Sequence, residues 1–161
     1  MNSKADKSGD KENTLILTTE SGPVVIELLV EKAPKHAARI KELAREGFYD
    51  GLIFHRVIEG FMAQGGCPDG TGMGGSKKPN LKAEFNDVSH KRGVCSMARS
   101  QNPDSANSQF FIVFDDASFL DKQYTAWGKV TAGMEHIDAL PRGEPPRKPG
   151  KIVSLKVAAD A

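Results

Sequence analysis

Long apolar runs are missing from this sequence. No stretch approaches the roughly 20 residues that a membrane-spanning helix needs. Met1 to Asn13 is polar and charged, without the apolar segment of a signal peptide, so the expected compartment is the cytoplasm. An excess of either charge is missing too. Lys and Arg number 22 against 21 Asp and Glu, a formal net charge of +1, so nothing global draws the chain to nucleic acid or to an anionic membrane. Cysteine is scarce: Cys67 and Cys95 stand far apart and form no CxxC, which excludes a disulfide framework and leaves two reduced thiols as the expectation.

Several chemical signatures are also absent. His36, His55, His90 and His136 show no metal-ligand spacing and no HExxH, so no metal is expected. There is no GxSxG elbow and no papain-like or caspase-like cysteine context. A Ser/His/Asp set assembles in space, and the linear sequence leaves it open. Gly70-Thr71-Gly72-Met73-Gly74-Gly75 matches GxGxxG literally. A dinucleotide site needs a strand before that motif and a helix after it. Here Cys67-Pro68-Asp69 precedes and Ser76-Lys77-Lys78-Pro79-Asn80 follows, so the segment reads as a tightly turning surface loop and no cofactor is expected.

What is present is turn chemistry and short apolar segments. The 161 residues suffice for one core, and 16 Gly with 9 Pro argue for a turn-rich β protein. Residues 1–13 read as a flexible polar leader and 14–161 as one domain. Leu15 to Thr19 and Val24 to Leu29 flank Glu20-Ser21-Gly22-Pro23, a hairpin with Val24, Ile26 and Leu28 on one face. Pro34 suits a first helical turn; Ala37, Ile40, Leu43 and Ala44 recur at helical spacing, and Gly47 supplies a stop. Ala33 offers no capping side chain. Further strands are expected at Ile53–Val57, Met62–Gln64, Val94–Ala98, Phe110–Phe114, Thr125–Val130 and Ile152–Ala158, with a second helix near Gly133 to Leu140. Eight short strands and two helices argue for a mainly β protein, a closed antiparallel β-barrel capped by helices; a two-sheet sandwich is the rival.

Two segments carry chemistry. In Ile53-Phe54-His55-Arg56-Val57-Ile58, strand alternation sets Phe54, Arg56 and Ile58 on one face. An arginine among apolar neighbours is costly to bury alone, so it should line a wet, apolar cleft or find a partner. The second segment runs from Gly93-Val94-Cys95-Ser96-Met97-Ala98-Arg99-Ser100 to Asn107-Ser108-Gln109-Phe110-Phe111-Ile112-Val113.

With these segments the chain resembles the cyclophilins. Phe54 to Ile58, Phe61-Met62-Ala63-Gln64-Gly65-Gly66, Ser96-Met97-Ala98, Ser108-Gln109-Phe110-Phe111-Ile112, Phe119-Leu120-Asp121 and Trp127-Gly128-Lys129-Val130 match in the family's order. A single extra residue around Asn102-Pro103-Asp104 and the compact loops look similar to bacterial members. The resemblance implies a closed eight-stranded barrel with two capping helices and a proline-binding groove on its outer surface. It implies a cofactor-independent peptidyl-prolyl cis-trans isomerase acting on proline-containing polypeptides. Carried over by position, Arg56 is the donor to the reacting imide, and Gln64 and Gln109 hydrogen-bond the substrate backbone or orient Arg56. Phe61, Met62, Phe111 and Leu120 form the proline pocket; Ala98 and Arg99 line the groove beside the preceding residue. Two positions depart: Phe119 where the family often has Trp, and Tyr124 where it often has His. Both are expected at the substrate groove, and loss of the indole N–H predicts reduced cyclosporin affinity. Trp127 is expected in the core, and the chain is expected to be a monomer, since no heptad pattern or long apolar edge is evident.

Overall fold

The computed structural model describes residues 10–161. The hairpin forms as its alternation dictates. β1 (Thr14–Thr19) pairs antiparallel with β2 (Pro23–Leu28), Leu15 opposite Ile26 and Leu17 opposite Val24, and these residues are buried. Helix α1 (Pro34–Arg45) buries Ala37, Ile40, Leu43 and Ala44. The cap that Ala33 lacks comes from elsewhere in the chain: the Glu84 carboxylate accepts from the amides of Lys35 and His36, both near 3 Å. Gly47, at φ +71°, ends the helix with its N–H on the Ala44 carbonyl.

The remaining strands are β3 (Arg56–Ile58), β4 (Met62–Gly65), β5 (Val94–Met97), β6 (Phe110–Val113), β7 (Ala126–Ala132) and β8 (Ile152–Val157), with a short helix α2 (Met134–Asp138) before the last. All pair antiparallel in the order β3-β4-β6-β5-β7-β2-β1-β8.

Two expectations need correction. The sheet is a curled half-barrel with two helices and is not fully closed, because β3 and β8 are edges that share no ladder. Among the described residues the seam is crossed by isolated bridges, Ile53 to Lys151 and Val57 to Gly143, rather than by a ladder. β3 is three residues long, and the segment facing it carries Pro141, Pro145, Pro146 and Pro149, which lack the N–H that a continuous ladder requires. Phe54, moreover, does not share a face with Arg56. It lies in the core beside Val57, its N–H bonded to the Gly150 carbonyl, because the strand begins only at Arg56 and strict alternation fails before it.

The core is built around Phe110, whose ring meets Tyr49, Phe54 and Trp127 edge-on at centroid distances of 5.5, 6.4 and 5.9 Å. Trp127 is fully buried there. Cys67 and Cys95 are buried and unpaired. Of the expected leader, residues 1–9 lie outside the described part. Lys11–Asn13 form a 3₁₀ turn capped by Asp10, and Glu12 pairs with Lys41 and Arg45 of α1 at 2.6 and 2.8 Å. Among the described residues no helix is long and apolar enough to cross a membrane.

Candidate active site

Alternation along β4 and β6 creates two apolar faces. Ala63, Phe110 and Ile112 enter the main core, whereas Met62, Phe111 and Val113 point outward. The outward face is itself covered, since Ala117 and Leu120 fold over it and form a second apolar cluster. Register then sets Arg56 opposite Gln64, Gln64 opposite Phe111, and Phe111 opposite Ser96 across β3, β4, β6 and β5.

This row borders a hollow of about 130 Å³. Phe61, Met62, Phe111, Leu120 and Tyr124 give it apolar walls; Arg56, Gln64, Ala98 and Arg99 form its rim. Phe119 and Gln109 lie beside the hollow rather than in it. Phe119 is 65% exposed and packs obliquely on Phe61 at 5.6 Å. Gln109 lines an adjoining cavity of about 600 Å³ together with Gln64, Ala98, Arg99 and Met73.

A polar chain runs along the rim. Arg56 donates from Nε to Glu144 at 3.0 Å and from one terminal nitrogen toward Gln64 Oε1 at 3.5 Å. Gln64 Nε2 donates to Gln109 Oε1 at 3.0 Å, and Gln109 Nε2 donates to the carbonyls of Gly72 and Gly74 at 2.9 and 2.8 Å. The GxGxxG loop is therefore a wall of the larger cavity and a brace for Gln109. Gly72 sits at φ +87°, and a Cβ there would stand 3.2 Å from the His55 ring. Arg99 is anchored by the carbonyls of Gln123 and Ser100 and stacks over Tyr124 at 4.6 Å.

Beneath Phe111 the chain assembles a Ser/His/Asp array that the sequence leaves unassigned. His90 bridges Ser96 Oγ and Asp121 Oδ1, each at 3.0 Å, and its ring stacks on Phe111 at 6.2 Å. The Ser89 hydroxyl, and after it the amide and ring of His90, hold Asp121 down to about 2. Ser96 and His90 are fully buried, so no substrate reaches the hydroxyl; the array is a satisfied polar layer behind Phe111. Asp121, His90 and Glu144 lie far from one another in sequence, and only the sheet register and loop packing bring them to this place.

The model for the "cyclophilin type peptidyl-prolyl cis-trans isomerase/CLD" family matches residues 14–157. The chain belongs to the cyclophilins. A Brucella suis protein named as a probable peptidyl-prolyl cis-trans isomerase is 48% identical, the match covering 95% of this chain and 86% of the relative. Peptidyl-prolyl cis-trans isomerase B of Bacillus subtilis is 43% identical over 80% of this cyclophilin and 90% of its own length. A crystal structure of a Hirschia baltica cyclophilin superposes with a TM-score of 0.88 at 32% identity, covering 94% of this chain and 76% of that one. A Cryptosporidium parvum cyclophilin, crystallised in the presence of the dipeptide Ala-Pro, gives 0.84 at 30% identity, covering 89% and 98%. This cyclophilin is thus a peptidyl-prolyl cis-trans isomerase, of a family that needs no cofactor.

Proposed function

We propose that this cyclophilin twists X-Pro bonds of extended peptides in the 130 Å³ hollow, with Arg56 as the donor to the imide nitrogen. The X-Pro amide resists rotation because nitrogen donates its lone pair into the carbonyl, and uncatalysed exchange takes on the order of tens to hundreds of seconds. Turnover in milliseconds requires a barrier lower by roughly 5–8 kcal/mol, small by enzyme standards. No bond is broken, so no nucleophile is needed. Phe61, Met62, Phe111 and Leu120 hold the proline ring and exclude the water that would stabilise the planar amide. The guanidinium at the rim supplies N–H groups where lone-pair density returns on twisting.

The observation that carries this reading is the position of Arg56 at the edge of an apolar hollow, next to the Gln64–Gln109 chain. The Ala-Pro dipeptide present with the Cryptosporidium parvum relative supports proline-containing peptides as substrates. A pure binding module would grip the same peptides without turnover. Exchange NMR on a short Ala-Pro peptide separates the two, since only an enzyme gives exchange cross-peaks between the cis and trans resonances at substoichiometric concentration.

Arginine does not titrate in the accessible range. Burial first, and the charge of Arg56 second, pull the His55 pKa below its ordinary value, which moves its protonation toward acid. The expected kcat/KM is therefore flat between about pH 6 and 9. A bell with two slopes in that window would replace the arginine donor with histidine acid–base chemistry.

Phe119 lacks the indole N–H of tryptophan. Cyclosporin binding by this cyclophilin is expected to be weak, and Phe119→Trp to tighten it by about 2- to 10-fold, the range of one added hydrogen bond. Equal affinities of the two proteins in calorimetry would sink this expectation.

A further inference from the structure

The loop that crosses the seam of the half-barrel brings a carboxylate to the arginine of the rim. Gly143 and Val57 exchange both main-chain hydrogen bonds, each 2.8 Å. One residue further along each strand from this isolated bridge stand Arg56 and Glu144. Glu144 Oε1 accepts from Arg56 Nε at 3.0 Å. The turn permits no side chain at 143, because a Cβ would stand 2.6 Å from Pro146 Cα and 2.8 Å from the Pro145 carbonyl. Main-chain geometry, rather than a chance meeting of two long side chains, delivers Glu144 to this place. A rival carboxylate is already engaged: Glu59 accepts from Arg142 at 2.9 Å.

We propose that Glu144 is a positioning residue for the isomerase reaction, holding the Arg56 guanidinium by its Nε edge so that its other N–H groups stay aimed over the proline hollow. The inference rests on Arg56 being the donor. A pair this exposed contributes little to folding stability. Its effect is orientational. Arginine has several rotatable bonds, and an unheld guanidinium at the surface spends most of its time in solvent. Each additional conformer lowers the fraction of molecules with the donor in place when a peptide is bound. Gln64 alone cannot fix the group, since its contact with Arg56 is long at 3.5 Å. Attachment at Nε leaves the terminal nitrogen that does not face Gln64 free for substrate.

Exchange NMR on an Ala-Pro peptide tests this with four proteins beside wild type. Glu144→Ala is expected to lower kcat about 3- to 10-fold with KM and melting temperature unchanged, because the lost alignment matters only in the transition state. Glu144→Gln is expected to retain most of the rate, since its amide oxygen still accepts from Nε. In an Arg56→Ala background, Glu144→Ala is expected to change the residual rate no further. An unaltered kcat in Glu144→Ala would overturn the inference. So would a loss in Glu144→Gln as deep as in Glu144→Ala, or an equal loss in both backgrounds, which marks a general structural role. Arg56→Ala alone judges the reading beneath it: a slow variant keeps Arg56 as donor whatever Glu144 does, and a fully active one removes it.

Discussion

Replacing Arg56 by alanine is expected to lower kcat/KM for an Ala-Pro peptide by roughly 10²- to 10³-fold, about 2.7–4 kcal/mol, the size of effect seen when one preorganised donor is removed. The side chain is 45% exposed, and its partners Glu144 and Gln64 are polar and reach water. Its deletion therefore leaves no buried group unpaired, and the folded structure should survive. The apolar hollow keeps its walls, Phe61, Met62, Phe111 and Leu120, so peptide binding should persist while exchange slows. Arg56→Lys should fall between, since an ammonium keeps the charge and loses the planar fork. Line-shape analysis of the cis and trans resonances, with a titration of the same peptide, gives rate and affinity from one sample. A variant exchanging within about twofold of wild type would mean that the apolar hollow alone carries catalysis.

The second large effect concerns stability. Phe110→Ala is expected to lower the unfolding free energy by about 3–5 kcal/mol, a large share of the roughly 5–15 kcal/mol available to a domain. Phe110 is fully buried and holds three edge-on aromatic contacts, with Tyr49, Phe54 and Trp127. These partners lie on two separate stretches of chain: Tyr49 and Phe54 belong to the connection between α1 and β3, and Trp127 belongs to β7. A cavity at their centre cannot be refilled by one local shift, so little of the loss is recovered. Urea unfolding followed by Trp127 fluorescence measures it. A loss below about 1.5 kcal/mol would mean that the surrounding rings collapse into the space.

Phe110 and Phe111 show how far a linear pattern reaches. Both are apolar neighbours on one strand, and pleating alone requires that they face opposite ways. Which way leads to the core and which to the hollow is fixed by register with Gln64 and Ser96, on strands some fifteen to fifty residues away in sequence. The hairpin β1–β2 and helix α1 were readable because their periods of 2 and 3.6 are local properties. The helix cap was not, since Glu84 comes from a distant loop. The rim residues became readable through motif order, which carries positional information that composition and periodicity lack. Closure of the barrel was overestimated for a comparable reason. Strand number suggested a ring, and the prolines opposite β3, each without an N–H, leave a seam.

That seam is where Glu144 meets Arg56. The amino-acid sequence by itself determined a turn-rich β protein, its main strands and its first helix, which depend on spacing along the chain that the linear order holds completely. The residues of a proline-binding groove with an arginine at its edge came only as what the resemblance to the cyclophilins implies. Tertiary structure alone decided that the sheet stays open, that Phe54 turns inward, that Ser96, His90 and Asp121 form a hydrogen-bonded array behind Phe111, and that a carboxylate lies beside Arg56. Each of those depends on contacts between segments far apart in the chain, made only once the core has packed and fixed their register.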